Sequence, residues 1–286
     1  MISSITKIGN GELHQGDVIE RLSQMAPQSV HTCVTSPPYW NLRDYGVDGQ
    51  IGLEKTPQEY VEKMVDVFRA VWPVLRDDGT VWLNMGDSYA GSMKGYMGNG
   101  KWADRSTVKQ GTNEGSLGIP PTNPKDIGLK PKDLCGIPWR LALALQDDGW
   151  YLRSDIIWHK PNPMPESVTD RPTKSHEYLF LLSKKQKYYY DHEAIKEPVT
   201  GNAHAGRKDE QLSPKYGKND MGGHNNRAGT YRNYYQPDSR NKRTVWTVVT
   251  KGYPEAHFAT FPPDLIKPCI LAGCPVQGTV LDPFMG

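Results

Sequence analysis

The alternation of short β-branched runs with longer amphipathic runs constrains this chain more than any other feature. Residues 30–35 read VHTCVT, a buried strand that must end before Pro37-Pro38 because proline cannot donate a hydrogen bond to a sheet. The polar strand ELHQGD and a helical pattern over residues 18–28 precede it. Strands and helices that alternate in this way predict an α/β fold with a doubly wound, mostly parallel sheet.

The next helix has a well-marked beginning. Thr56 is the expected N-cap, Pro57 the first helical residue and Glu59 the third, and an apolar stripe then continues to Leu75, before a turn at Asp77-Asp78-Gly79. The strand TVWLNMGDS follows, and the pattern repeats with a helix over residues 133–149 and the strand WYLRSDIIWHK. These repeats are typical of a sheet built from βα units.

Length and composition exclude several classes of protein. A chain of 286 residues with 37% hydrophobic residues can form one large α/β domain with insertions, or two small domains. Neither a signal peptide nor an apolar run of the ~18–20 residues needed to cross a bilayer is present, so we expect a soluble cytoplasmic protein. The four cysteines lack metal-ligand spacing, so no metal site is expected.

The net charge of +2 is an average over two unlike parts. Residues 184–251 contain 14 Lys and Arg against seven Asp and Glu, a net charge of +7, which leaves −5 for the remainder. A separate segment over residues 90–132 is rich in glycine and lacks aliphatic periodicity, so we expect a long mobile loop there. The basic segment is either a solvated loop or a surface for nucleic acid.

The string TSPPYW follows the strand at residues 30–35, where open α/β sheets bind their ligands. Pro37 and Pro38 fix the backbone, so that the Ser36 hydroxyl and the Pro37 carbonyl can both accept hydrogen bonds from one substrate group. Tyr39 offers a flat ring for stacking. The string suits a planar substrate with an exocyclic amino group, although a proline-rich turn with a surface tyrosine reads the same way.

A second string, GTVLDPFMG, closes the chain. A β-branched strand ends in Asp282-Pro283-Phe284, and Gly286 permits close approach of the backbone to a ligand. This arrangement is typical of the beginning of a nucleotide-like cofactor loop.

Together the two strings resemble the amino-directed DNA methyltransferases, in the permuted order that has the catalytic tetrapeptide before the cofactor motif. The resemblance implies a Rossmann-like fold that uses S-adenosylmethionine. It extends to QGD, whose Asp17 would contact the cofactor adenine, and to HFATFPPDLI, which would lie against the methionine end of the cofactor. The stretch from IIWHK to SHEYLFLLSK resembles the border of the target-base pocket, with His176 and Glu177 expected in a structural or pocket-lining turn.

The resemblance implies methyl transfer to the exocyclic N4 of a cytosine that is flipped out of duplex DNA. The implied catalytic residues are Ser36, Pro37, Pro38 and Tyr39, and the implied cofactor-binding residues are Asp17, Phe261, Pro262, Asp282, Pro283, Phe284 and Gly286. Ser36 favours cytosine, and adenine N6 is the alternative target. Methylation at cytosine C5 would need a cysteine nucleophile, but Cys269 lies in IKPCILAG, which reads as an apolar helix.

We expect residues 1–183 to form the catalytic part, residues 184–251 a DNA target-recognition insertion, and residues 252–286 the start of the cofactor-binding part. Double-stranded DNA is the expected partner, and a cognate restriction endonuclease would act separately. Because the cofactor motif is cut at Gly286, we expect the natural protein to continue; otherwise it would be a catalytically silent DNA-binding protein. The implied DNA-binding residues are Arg227, Arg232, Arg240, Lys242 and Arg243.

Overall fold

The computed structural model describes residues 4–91, 124–199, 239–250 and 261–285. In the described residues the helices are α1 (Val18–Ser23), α2 (Pro57–Val74), α3 (Ile137–Asp147) and α4 (Pro263–Gly273). The strands are β1 (Ser4–Ile8), β2 (Gly11–Gln15), β3 (Val30–Thr35), β4 (Leu75–Met85), β5 (Tyr151–His159), β6 (His176–Ser183), β7 (Glu197–Pro198), β8 (Ser239–Arg240), β9 (Val245–Thr247) and β10 (Val280–Leu281).

Six of these strands form the central sheet, in the order β10-β3-β4-β6-β5-β9. Neighbouring strands are parallel except on both sides of β6, which is antiparallel to β4 and to β5. Five strands of this sheet therefore point the same way, and the predicted mostly parallel sheet is confirmed. The reversal of β6 brings its first residues to the edge where β3, β4 and β5 end.

Helices cover both faces of the sheet, as a doubly wound fold requires. The buried side chains of α2 and α3 pack with Cys33 and Val81 in one hydrophobic core. On the other face α4 lies so close that a Cβ atom on Gly273 would meet the hydroxyl oxygens of Thr80 and Thr32 at 2.5 and 2.7 Å. Glycine at this position lets the helix approach the sheet.

The predicted beginning of α2 is confirmed. The Thr56 hydroxyl accepts a hydrogen bond from the Glu59 backbone N–H at 3.1 Å, and Pro57 is the first helical residue. The helix ends at Val74, however, and Leu75 already belongs to β4. The predicted turn at Asp77-Asp78-Gly79 lies inside that strand, where the pairing with β3 shifts register between Val30 and Thr32. A local irregularity of the strand takes the place of a separate turn.

The first strands do not join the central sheet. β1 and β2 pair with each other as an antiparallel hairpin whose residues are mostly exposed. The helix predicted over residues 18–28 is shorter, ending at Ser23. The helix predicted over residues 133–149 begins at Ile137, because Gly136 has a left-handed φ of 71° and starts the helix there.

Contacts divide the chain into two units, one of Met1–Asp191 with Arg243–Gly286 and one of His192–Lys242. In the second unit, β7 and β8 form a short antiparallel pair. This unit lies within the segment 184–251 for which target recognition is predicted, whereas β9, from the same segment, is an edge strand of the central sheet. Most of the predicted loop over residues 90–132 lies outside the described residues; of the remainder, Pro124–Ile127 form a short 3-10 helix.

Candidate active site

A side chain of α2 anchors the loop after β3. Pro37 is buried, and the carbonyl oxygen of Pro38 accepts a hydrogen bond from the Tyr60 hydroxyl at 2.8 Å. Tyr60 itself is fully buried in the core. The two prolines and this anchor fix the direction in which Ser36 and Tyr39 leave the strand.

Tyr39 is bound through its hydroxyl group to two neighbouring strands. The hydroxyl oxygen lies 2.8 Å from Glu177 Oε2 and 3.2 Å from Asn84 Oδ1, and it accepts a hydrogen bond from Ser36 Oγ at 3.2 Å. Burial, and then the negative charge of Glu177, raise the pKa of Tyr39 well above its usual range. The phenol therefore keeps its proton at any working pH.

Glu177 lies on β6 and not in the turn predicted from the sequence, so that expectation is wrong. Its Oε2 also accepts a hydrogen bond from Asn84 Nδ2 at 3.2 Å, and its Oε1 forms an ion pair with Lys160. The Lys160 ammonium group lies 4.2 Å from the centroid of the Trp158 ring. A cation and two neutral donors therefore hold the Glu177 carboxylate in place. Both side chains of the ion pair are less than one-fifth exposed, so water competes little for these contacts.

The ring of Tyr39 rests on the backbone of Gly86, directly after β4. A Cβ atom on Gly86 would lie 2.5 Å from Tyr39 Cε2, closer than any real contact. Only glycine therefore allows the ring to occupy this position against the end of β4.

A cavity of about 170 Å³ lies beside Tyr39. Its wall carries an ion pair between Arg171 and Glu166 at 2.7 Å, and the Arg171 guanidinium lies 3.9 Å from the centroid of the Tyr89 ring. Lys174 also lines the cavity, and its ammonium nitrogen has no hydrogen-bond partner among the described residues. Burial lowers the pKa of Lys174. Aromatic and charged groups thus share the wall of a space that suits a polar planar ligand.

The loop after β10 presents the second predicted group, Asp282. Its Oδ1 accepts hydrogen bonds from Thr35 Oγ1 at 2.6 Å and from the Phe284 backbone N–H at 3.0 Å. Burial raises the pKa of Asp282, an effect that these two donors only partly offset. Since Thr35 is the residue before Ser36, the structure brings the two predicted motifs together at neighbouring strand ends. The neighbouring Pro283 is partly buried, and Gly286 lies outside the described residues.

The other residues predicted to bind the cofactor lie at helix beginnings. Asp17 is the N-cap of α1, and its Oδ1 accepts a hydrogen bond from the Glu20 backbone N–H at 3.0 Å. Phe261 and Pro262 directly precede α4, and Pro262 is its buried N-cap. Cys269 lies buried within α4, as predicted for a core cysteine.

The predicted DNA-binding residues are only partly described. Arg227 and Arg232 lie outside the described residues. Within the second unit, Arg240 on β8 donates a hydrogen bond from Nε to Glu197 Oε1 at 2.8 Å. Lys242 is partly buried in that unit, and Arg243 is exposed in the first unit.

Sequence reasoning did not identify Asn84 and Glu177 as partners of the Tyr39 hydroxyl, nor Lys160 as the cation paired with Glu177. One signal was available: Asn84 interrupts the apolar run VWLNM, and a polar residue in a buried strand requires a partner. Across the described ranges, no three His, Cys, Asp or Glu side chains are grouped so as to hold a metal ion. The same ranges contain no helix that is long and apolar enough to cross a membrane.

Known proteins resemble this chain over most of its length. The N6/N4 methyltransferase family model, described as DNA methylase, matches residues 30–286. The chain is 46% identical to the type II methyltransferase M.Cfr9I of Citrobacter freundii over 280 residues, 98% of this chain and 78% of that protein. It is 47% identical to the type II methyltransferase M.SmaI of Serratia marcescens over 271 residues, 95% and 78% of the two chains.

A solved structure shares the fold. PvuII DNA methyltransferase, described as cytosine-N4-specific, superposes with a TM-score of 0.54 at 16% sequence identity, covering 93% of this chain and 71% of that one. The family model covers most of the chain, and the two relatives match nearly its whole length at close to half identity. The chain therefore belongs to the family of N6- and N4-directed DNA methyltransferases.

Proposed function

We propose that this type II DNA methyltransferase transfers its methyl group to the exocyclic N4 of a cytosine flipped out of duplex DNA. The observation that carries the proposal is the direction of the Ser36 hydroxyl. Its proton points to the Tyr39 oxygen at 3.2 Å, so the lone pairs of Ser36 Oγ are left to accept a hydrogen bond from the amino group. Adenine also carries an acceptor ring nitrogen beside its amino group, so the choice of cytosine rests on Ser36 itself: in this family serine at the first position of the tetrapeptide tends to accompany cytosine N4, and aspartate adenine N6.

The base would be held by the loop after β3. We infer that its ring stacks on Tyr39 and that its two amino hydrogens are taken by Ser36 Oγ and the Pro37 carbonyl. Both acceptors draw the amino group away from conjugation with the ring and expose the nitrogen lone pair for in-line attack. Flipping is necessary because the amino nitrogen is inaccessible within the duplex. Rigid positioning of the nucleophile then supplies much of the rate.

S-adenosylmethionine is the methyl donor of this methyltransferase. It supplies a sulfonium methyl group that a nitrogen lone pair can attack. The residues after β10 fit a polar adenosyl ligand, because Asp282 is a largely buried carboxylate with a raised pKa and only two described donors, both neutral. We propose that Asp282, Pro283, Phe284 and Gly286 hold the cofactor, together with Asp17, Phe261 and Pro262.

Duplex DNA is the substrate of this enzyme class. We propose that the basic segment over residues 184–251 recognises the target sequence, with Arg227, Arg232, Arg240, Lys242 and Arg243 contacting phosphates or base edges. The net charge of +7 in this segment supports the assignment. We further propose that the enzyme acts in the cytoplasm and shares its specificity with a separate restriction endonuclease.

The reaction product tests the proposal. The protein is incubated with labelled S-adenosylmethionine and unmethylated bacterial genomic DNA, which offers many candidate sequences, and the DNA is digested to nucleosides for mass spectrometry. We expect N4-methylcytosine. N6-methyladenine would replace cytosine by adenine as the target, and the absence of label would favour a silent DNA-binding protein.

Substitution of the proposed catalytic residues provides the matched control. Ser36→Ala and Tyr39→Ala should abolish transfer while the salt-sensitive binding of DNA remains. Full activity in both variants would show that the loop after β3 is not the catalytic loop.

A further inference from the structure

We propose that Ser36, Tyr39 and Glu177 form a proton relay that carries the proton released by the target amine to the Glu177 carboxylate. The inference rests on the proposed function, since it assigns the path of the proton in amino-group methylation. Glu177 acts through the other two residues and does not touch the base.

The hydrogen bonds of the described residues run in one direction. Ser36 Oγ donates to the Tyr39 hydroxyl oxygen at 3.2 Å, and that hydroxyl donates to Glu177 Oε2 at 2.8 Å. Asn84 Oδ1 is a second possible acceptor, at 3.2 Å, but the carboxylate is nearer and charged. Each donor therefore passes its proton away from the loop after β3 and toward β6.

The steps balance without any further reactant. The N4 lone pair forms the new bond to the methyl carbon, while the carbon–sulfur bond breaks and leaves its electron pair on sulfur. The nitrogen, now cationic, gives a proton to Ser36 Oγ, which gives its own hydroxyl proton to the Tyr39 oxygen. Tyr39 gives its proton to Glu177, which becomes a neutral carboxylic acid and returns the proton to water after the product leaves.

The relay also gives a role to the Glu177 carboxylate, which is connected to Ser36 through the Tyr39 hydroxyl. A hydroxyl group is a weak base by itself, but a chain of hydrogen bonds that ends on an anion polarises each member and makes Ser36 Oγ a better acceptor. The amino nitrogen then carries more electron density before the methyl group is transferred. The hydrogen-bond chain therefore raises the rate of methyl transfer itself, even when the amino proton leaves only after the methyl group has been transferred.

Fixed groups keep Glu177 ready to accept this proton. Lys160 pairs with Oε1, which leaves Oε2 to Tyr39 and to Asn84 Nδ2. The charged or titratable groups that face Glu177 are Lys160, Lys174, His176 and Tyr39. Burial and the charge of Lys174 lower the pKa of His176, which is therefore neutral at working pH.

Two substitutions interrupt the relay at different points. Tyr39→Phe keeps the ring for stacking but removes the hydroxyl, and Glu177→Gln keeps a hydrogen-bond acceptor but cannot take a proton. The measurement is the single-turnover methylation rate with DNA and S-adenosylmethionine at saturation, alongside the Kd of each. The exposed residues Tyr151 and Glu62 provide matched controls as Tyr151→Phe and Glu62→Gln.

We expect each relay variant to lower the single-turnover rate roughly 100-fold, with both Kd values nearly unchanged. The double variant should be no slower than the slower single variant, because both changes interrupt one path. Glu177→Asp, which restores a carboxylate, should recover part of the rate. The controls should match the wild type.

Several outcomes would overturn the relay. These are a wild-type rate in Glu177→Gln, multiplying effects in the double variant, or losses that appear in Kd alone, as a purely structural role would produce. Thermal unfolding of each variant shows whether a loss of methylation rate is caused by misfolding. If Glu177→Gln does not fold, the rate of Glu177→Asp is compared with that of Tyr39→Phe instead.

The product formed by the wild-type protein shows separately whether the proposed function is wrong. N6-methyladenine would change the target, while the same variants would still test the relay on that amine. A wild-type protein that methylates neither base would overturn both proposals.

Discussion

Two largely buried carboxylates lie at the same edge of the sheet, and they are stabilised differently. Glu177, at the start of β6, has a cation on one oxygen and neutral donors on the other. Asp282, after β10, has two described donors, the Thr35 hydroxyl and the Phe284 backbone N–H, and both are neutral. Burial raises the pKa of Asp282. Near Tyr39, the charge of Glu177 is thus compensated by Lys160 and by neutral donors. Near Asp282, part of the cost of removing the carboxylate from water remains uncompensated.

The difference matches the two tasks proposed for these ends. A rigid, fully hydrogen-bonded network fixes Tyr39 before a flipped base arrives, which reduces the ordering needed at binding. A carboxylate with spare acceptor capacity suits the hydroxyl and amino groups of a cofactor. Substitutions that change one end and not the other test this comparison.

Lys160→Met should have the largest effect, because it leaves the Glu177 carboxylate buried without its cation. Removing one partner of a fully buried ion pair destabilises a protein by about 3 kcal/mol or more, so for this pair, which is nearly one-fifth exposed, a loss of about 2–3 kcal/mol is expected. We expect a lower free energy of unfolding by that amount in urea titration. The exposed pair of Lys132 and Asp170 gives the control, since Lys132→Met should change stability by less than about 1 kcal/mol.

The double variant Lys160→Met/Glu177→Gln makes the argument specific to charge. It should recover most of the stability lost in Lys160→Met, because no unpaired charge remains. If the double variant were less stable than Lys160→Met, the loss would come from packing around Trp158 and not from the uncompensated carboxylate.

Thr35→Val should have the next largest effect, and it acts at the other end. The valine removes one of the two donors to Asp282, and a hydrogen bond to a charged group contributes about 2 kcal/mol. The pKa of Asp282 should rise further, which NMR titration of the carboxyl carbon would measure. Thr35→Ser keeps the hydroxyl and should restore the wild-type value; equal pKa values in all three proteins would exclude Thr35 as the donor that matters.

Local sequence determined much of what could be predicted. The strand at residues 30–35 and the beginning of α2 at Thr56-Pro57 match the structure, because β-branched runs, proline and an N-cap act on their immediate neighbours. The two strings after β3 and β10 were also identifiable, since each follows a recognisable strand.

The partners of Tyr39 were not predictable in the same way. Glu177 is 138 residues away in the chain, and it reaches Tyr39 only because β6 runs against its neighbours. Nothing in the apolar pattern HEYLFLLS distinguishes a parallel from an antiparallel strand. The apolar run also begins only at Tyr178, so the two polar residues before it were expected in a turn, and that expectation was wrong. The polar strand ELHQGD corresponds to β2, but β1 and the pairing of the two strands were missed, because β1 is mostly exposed and carries little apolar pattern.

Gly86→Ala should produce a smaller effect, confined to the end near Tyr39. The new methyl group would overlap the Tyr39 ring, and a ring-edge displacement of this kind reduces stability by about 1 kcal/mol. The methylation rate should fall more than the stability, because the displaced hydroxyl loses its contact with Glu177. Gly11→Ala is the control, since a Cβ atom there would make only an ordinary contact. A normal rate in Gly86→Ala would show that the ring position tolerates movement.

Asp282→Asn should change stability least at neutral pH and most in its pH dependence. The amide oxygen can still accept from Thr35 and Phe284 without carrying a buried charge, so the variant should be slightly more stable at neutral pH, by less than about 1 kcal/mol. Because burial raises the folded-state pKa of Asp282 above its unfolded value, the folded wild type binds this proton more tightly.

The wild type therefore gains stability as the pH falls through that folded-state pKa, and the gain is complete below the unfolded-state pKa. Asp282→Asn lacks this gain, so its advantage over the wild type should shrink as the pH is lowered from neutral to about 4. Thermal unfolding at successive pH values measures the difference, with the exposed Asp48→Asn as control. A difference that stays constant over this range would mean that Asp282 is as well compensated as Glu177, and the contrast between the two ends would then be wrong.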